Sequence, residues 1–179
     1  LHAAGQFQTQ THKSDVPVPQ LPVGSELDVT EHYRRAAARG AHFGPAFQTV
    51  VELSSSPNTA TATARLTAQD ASAASSYVIH PALLDGCFQT ILAAAGDDDD
   101  ASWVPIAIDR IEVFGKAGSE VRSVIRTTAH RENAETLVAD VWVTRADGEP
   151  VATITGLRLK RITATAVDTP RGFQYLVRW

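Results

Sequence analysis

The segment Pro81-Ala82-Leu83-Leu84-Asp85-Gly86-Cys87-Phe88-Gln89-Thr90-Ile91-Leu92-Ala93-Ala94-Ala95 limits the possible folds more than any other stretch of the chain. Proline at the first helical position is pre-organised for a helix, and Gly96 supplies a stop. Leu83, Leu84, Cys87, Phe88, Ile91 and Leu92 occupy most of the circumference. A helix that is apolar nearly all round is buried inside its domain. The rest of the chain must therefore supply a layer that surrounds it.

That layer reads as strands. Phe47–Ser55 and Thr59–Thr67 are two candidates around Pro57-Asn58, the second with β-branched residues on one face. After the helix come Val104–Phe114, Glu120–His130, Thr136–Arg145 and Pro150–Ile162, with Ala146-Asp147-Gly148 as a hairpin signal. Gly115-Lys116-Ala117-Gly118 lacks phosphate-loop spacing and reads as a turn. Gln69–Ser76 reads as a loop. Asp28-Val29-Thr30 before Glu31–Arg39, with Gly40 behind, is the punctuation of a short helix. A long helix wrapped by a curved antiparallel sheet is a hotdog architecture of the α+β class.

Composition excludes several functions. The 179 residues carry a net charge of −4, and the 16 Lys and Arg are scattered, which argues against a nucleic-acid footprint. No apolar run approaches the roughly 18 residues that a membrane span needs, and no secretory signal opens the chain. One cysteine, Cys87, excludes a disulfide framework or a Cys-rich metal site, and a cytoplasmic setting is expected. Asp97–Asp100 reads as a solvated loop rather than a metal site, because no histidine or spaced carboxylate set accompanies it. Pro17, Pro19 and Pro22 mark residues 11–27 as an extended linker. The absence of methionine, the start at Leu1 and the aromatic end Phe173–Trp179 are read as a piece of a longer polypeptide.

Asp85 and Gln89 are four residues apart and share a helix face. The Gln89 amide can bond one carboxyl oxygen and orient the acid. Desolvation among Leu84, Cys87 and Phe88 raises a carboxyl pKa, as a general acid near neutral pH requires, while the helix N-terminus pulls the other way. The alternative is a structural acid that caps a backbone group or pairs with an arginine. His80 either lines a pocket as a second proton carrier or satisfies a backbone group at the helix entry. Cys87 has no basic neighbour in sequence and reads as an inert core thiol. Trp103, Trp142 and Trp179 read as packing residues.

The segment His80-Pro81-Ala82-Leu83-Leu84-Asp85-Gly86-Cys87-Phe88-Gln89 resembles the HPxLLDxxxQ segment of modular polyketide synthase dehydratases. Upstream, Gly40-Ala41-His42-Phe43-Gly44-Pro45-Ala46-Phe47-Gln48 resembles the family's GYxYGPxFQ segment, with His42 and Phe43 where the family often carries tyrosine. Softer likenesses lie at Trp103-Val104-Pro105 through Phe114, at Gly156-Leu157-Arg158-Leu159, at Leu1–Gly5 and at Phe173–Trp179. The resemblance implies the second half of a double hotdog. Residues 1–10 would end a preceding hotdog, 11–27 would link, 28–165 would form the C-terminal hotdog, and 166–179 would start the linker to the next synthase domain.

The resemblance also implies chemistry. A histidine of the first hotdog removes the α-proton of a β-hydroxyacyl thioester, and the aspartate of the second protonates the departing hydroxyl. Carried over, Asp85 is the acid and Gln89 orients it. Phe43, Gly44, Pro45, His80, Leu84 and Phe88 would shape the substrate site. No metal and no resident cofactor are implied; the substrate rides the phosphopantetheine arm of an acyl carrier protein. Implied partners are that carrier, the His-bearing half and neighbouring synthase domains, with a homodimer left open and neither nucleic acid nor membrane expected. The family's histidine lies in HxxxGxxxxP, and none of His2, His12, His32, His42, His80 or His130 has that spacing. The chain is therefore expected to hold half an active site. The competing readings are a non-catalytic pseudo-dehydratase that docks or scaffolds, a product-template or double-bond-shifting relative, and a free-standing hotdog thioesterase.

Overall fold

A computed structural model describes residues 5–6, 18–19, 24–95, 102–129 and 135–162. Most of the proposed strand at 1–10, most of the linker, the Asp97–Asp100 run, Gly96, Trp179 and the 166–179 segment lie outside them.

Among the described residues, eight strands and three α-helices follow in chain order. They are β1 (Ser25–Glu26), α1 (Val29–Ala38), β2 (Val50–Ser56), β3 (Thr59–Arg65), α2 (Ala68–Ala71), α3 (Pro81–Ala94), β4 (Ser102–Ala107), β5 (Arg110–Val113), β6 (Glu120–Ala129), β7 (Thr136–Thr144) and β8 (Pro150–Ile162). The strands form one antiparallel sheet in the order β1-β2-β3-β6-β7-β8-β4, and β5 also pairs with β8. The sheet curves around α3, which is the hotdog arrangement expected from the sequence. Leu83, Cys87 and Ile91 of α3 are fully buried, in one core with Ala64 of β3, Val121 and Ile125 of β6, Val141 of β7 and Ile154 and Leu157 of β8. β7 shows the period-2 alternation of a half-buried strand.

Several boundaries differ from the sequence reading, each for a local reason. The strand read from Phe47 begins at Val50, because Pro45–Phe47 closes a 3-10 turn first. Ser25–Glu26, at the end of the segment read as linker, pairs with Ser54 and Ser55. The loop read over Gln69–Ser76 contains α2 and a 3-10 turn at Ala74–Ser76. Thr67 starts α2 by capping: its Oγ1 accepts from the Asp70 N–H and donates to the Asp70 carboxylate. The single strand read over Val104–Phe114 is two, β4 and β5, both on β8. The break falls at Ile108-Asp109. There Asp109 lies against Gly156, whose φ of +66° favours glycine, and pairs with Arg158 at 2.7 Å. The hairpin at Ala146–Gly148 forms as expected, with Gly148 at φ +86°. β2 carries a bulge between Val50 and Glu52, where its register on β3 shifts.

Candidate active site

The acid sits at the start of the second turn of α3. His80 caps this helix, its Nδ1 accepting the Ala82 N–H at 3.2 Å, and Pro81 takes the first helical position. Of the two roles open to His80, the geometry shows the cap. Gly86, next to Asp85, allows a close approach. A Cβ there would collide with Thr49 Oγ1, which donates to the Ala82 carbonyl at 3.0 Å. The chain entering β2 is thus drawn against α3 beside the acid. The turn at Pro45–Phe47 is held by the Phe47 N–H to the Gly44 carbonyl and by Gln48 Nε2 to the Phe43 carbonyl, both 2.9 Å.

Asp85 and Gln89 meet as the four-residue spacing predicts. Gln89 Nε2 donates to Asp85 Oδ2 at 2.6 Å and to the Phe47 carbonyl at 2.8 Å. Gln89 Oε1 accepts from the Tyr33 hydroxyl of α1 at 2.9 Å, and that hydroxyl accepts the Val50 N–H at 3.0 Å. Gln89 is buried and Asp85 half-buried. Burial pushes the Asp85 carboxyl above its ordinary value, and the hydrogen bond from Gln89 partly offsets this. Burial likewise raises the Tyr33 phenol, so it remains a proton donor at neutral pH.

Asp85 opens on an apolar pocket of about 170 Å³. Phe88, Gln89 and Leu92 of α3 form one wall, and Ala36 of α1 with Arg39, at the C-terminal cap of that helix, a second. Ala41 and Phe43 close one end, and Trp103, Pro105 and Leu159 of β4 and β8 the other. The volume lies below the roughly 300–1,000 Å³ typical of complete small-molecule sites. A more polar cavity of about 240 Å³ adjoins it and shares Ala36, Arg39 and Leu92.

The structure brings Asp85, Gln89, Phe88 and Phe43 together and leaves other sequence candidates apart. Gly44 and Pro45 are exposed and do not line the pocket; they build the turn that presents Phe43 and the Phe47 carbonyl. Leu84 packs against the core instead, and His80 faces Tyr77, ring centroids 4.8 Å apart. Cys87 is fully buried and its thiol is pushed up to about 12, which removes it as a nucleophile. Trp103 packs on the core and also lines the pocket, whereas Trp142 lies under Arg126, whose guanidinium carbon is 5.8 Å from the ring centroid. Tyr33 and Arg39 carry no signal of their own in the sequence. Only the three-dimensional packing of α1 on α3 reveals them.

The sequence profile described as polyketide synthase dehydratase N-terminal domain matches residues 11–169. This chain belongs to the polyketide synthase dehydratase family. Among curated relatives, this dehydratase-family chain is 32% identical over 161 residues to polyketide synthase GfsB of Streptomyces halstedii. That alignment covers 88% of the chain and 3% of the synthase. It is 29% identical over 144 residues to a phenolphthiocerol/phthiocerol polyketide synthase of Mycobacterium tuberculosis, covering 72% of the chain and 6% of that protein. The dehydratase domain from the CurK module of curacin polyketide synthase superimposes with a TM-score of 0.70 at 28% identity, covering 78% of this chain and 49% of that one. GphF dehydratase 1 gives 0.71 at 30% identity, with 82% and 54% covered. The chain thus spans about half of the solved dehydratases and a small fraction of the curated synthases. Two further CurK structures are described as inactive mutants, one Asp-to-Asn and one His-to-Phe. A GphF variant is described as isomerase-inactive. Among the described residues no helix is long and apolar enough to cross a membrane.

Proposed function

We propose that this chain is the acid-bearing, C-terminal half of a polyketide synthase dehydratase, with Asp85 as the proton donor. The substrate is a β-hydroxyacyl thioester carried on the phosphopantetheine arm of an acyl carrier protein. A base outside this chain takes the α-proton, the electron pair forms the α,β double bond, and the β-hydroxyl leaves with the Asp85 proton as water. Asp85 ends as a carboxylate, and return of a proton from the base resets both groups. Pairing base and acid avoids full charge at either carbon, and each is typically worth roughly 10²–10⁴-fold.

The observation that carries this reading is a half-buried carboxyl, raised by burial, oriented on one oxygen by Gln89 and open to an apolar pocket. Three findings support the view that the base lies in a second half. Among the described residues no histidine lines the pocket. The pocket is small for a complete site. Val104, Ile106, Ile108, Ile111 and Val113 expose apolar surface at the β4–β5 edge of the sheet. The inactive Asp-to-Asn and His-to-Phe mutants of a relative fit a two-residue elimination. The test is Asp85→Asn in the intact synthase, with the carrier-bound product followed by mass spectrometry. Dehydration should collapse; unchanged dehydration leaves the scaffold reading. A double-bond shift is the second reading, favoured by the isomerase activity named for a 28%-identical relative. It predicts a product that has moved its double bond without losing water.

A further inference from the structure

The donors and acceptors around Gln89 form a chain with only one consistent polarity. The Val50 N–H can only donate, so the Tyr33 oxygen accepts and its own proton must point elsewhere. It points to Gln89 Oε1. Gln89 Nε2 then faces two acceptors, the Phe47 carbonyl and Asp85 Oδ2. Reversing the amide would set Nε2 against the hydroxyl and Oε1 against the Phe47 carbonyl. Asp85 Oδ2 is therefore an acceptor, and among the described residues no side chain or amide bonds Oδ1.

We propose that Tyr33 is a positioning residue: by fixing the Gln89 amide, it confines the transferable proton of Asp85 to Oδ1, the oxygen left to the pocket. The proposal rests on the dehydratase reading and deepens it. When Oδ1 gives up its proton, the new carboxylate keeps the Gln89 donor on Oδ2, so the product state is held without reorganisation. Without the Tyr33 hydroxyl, the Phe47 carbonyl alone opposes reversal of the amide. Orientations that offer Oε1 to the acid then gain population, and in them the proton sits on Oδ2, facing away from substrate. Arg39 is the charged side chain that shares the pocket with Asp85. The lining from α3, the Ala41–Phe43 stretch, β4 and β8 is otherwise uncharged, and the Cys87 thiol behind it is neutral.

The experiment compares Tyr33→Phe, Gln89→Leu, the double variant and Asp85→Asn in the intact synthase, with a β-hydroxyacyl substrate on its carrier protein. Tyr33→Phe should lower kcat about tenfold, the scale of one oriented hydrogen bond, with KM little changed. The alkaline limb of the kcat profile, set by protonated Asp85, should move to higher pH because the donor to the carboxylate is less firmly held. The double variant should be no slower than Gln89→Leu alone. 3-Fluorotyrosine at position 33 keeps the ring and both bonds while strengthening the donor, and should move the same limb to lower pH. An unmoved limb in both Tyr33 replacements, or additive losses in the double variant, overturns the proposal. If Asp85→Asn is inactive in that case, only the Tyr33 role fails. If Asp85→Asn stays active, the dehydratase reading itself fails.

Discussion

The two sides of α3 use the same helix for opposite purposes. On the sheet side, Leu83, Cys87 and Ile91 are sealed in apolar packing, and the cost of change there is volume. On the α1 side, Asp85 and Gln89 sit in a hydrogen-bonded chain beside a pocket, and the cost of change there is orientation. On the proposed reading, stability and chemistry are separated by half a helical turn. A residue can be indispensable on one side and nearly silent by the criterion of the other.

Substitutions can break that division or sharpen it. The largest effect expected is on catalysis. Asp85→Asn should cut turnover of the intact synthase by roughly 10²–10⁴-fold without loss of thermal stability. The sign follows from the pKa. Folding raises the Asp85 value above its unfolded one, so the penalty for burying the charge is absent below the unfolded pKa and complete above the folded one. The melting temperature of the Asn variant should therefore gain on wild type as pH rises through that window. A melting temperature that falls at neutral pH would show that the charge itself holds the fold. Next comes Ile91→Ala, which should cost about 2–5 kcal/mol in denaturant unfolding and leave the pH profile of the remaining activity unchanged. Gly86→Ala lies on the boundary. Its methyl meets Thr49, and about 1–3 kcal/mol of destabilisation is expected from overpacking. This should come with loss of turnover, because Thr49 lies two residues from Phe47, whose carbonyl accepts from Gln89.

The smallest effect is expected on α1. His32 is buried with its Nε2 unpartnered, and burial, aided by Arg39, holds its pKa below the ordinary value. Its contribution is complete above the unfolded pKa near 6.5 and is lost as pH falls through the lower folded value. His32→Phe should move the acid-unfolding midpoint to lower pH, measured by circular dichroism; an unmoved midpoint would place the acid sensitivity elsewhere.

How much of this is legible in the sequence depends on distance along the chain. The central helix and the Asp85–Gln89 pair can be read because their partners lie within one turn. The proline at the helix entry and the glycine in the β7–β8 hairpin carry their geometry locally. Tyr33 cannot be read, because its link to Gln89 spans 56 positions and exists only once α1 packs on α3. The split between β4 and β5 is hidden for the same reason. Ile108-Asp109 gives no signal until Gly156 lies opposite it. Gly44 and Pro45 read as pocket residues because their motif adjoins the site, yet it is their backbone that shapes it, and both are exposed.

The irregularity in β2 has a consequence for how this protein could be altered. Val50 pairs with Ala64, the register on β3 shifts between Val50 and Glu52, and the Val50 amide donates to Tyr33. Deleting the extra residue, Val51, is expected to restore regular pairing with β3 and to shift the amide that anchors the phenol. On the proposed reading, an edit that improves regularity here would loosen the aim of the acid, from a position that faces solvent.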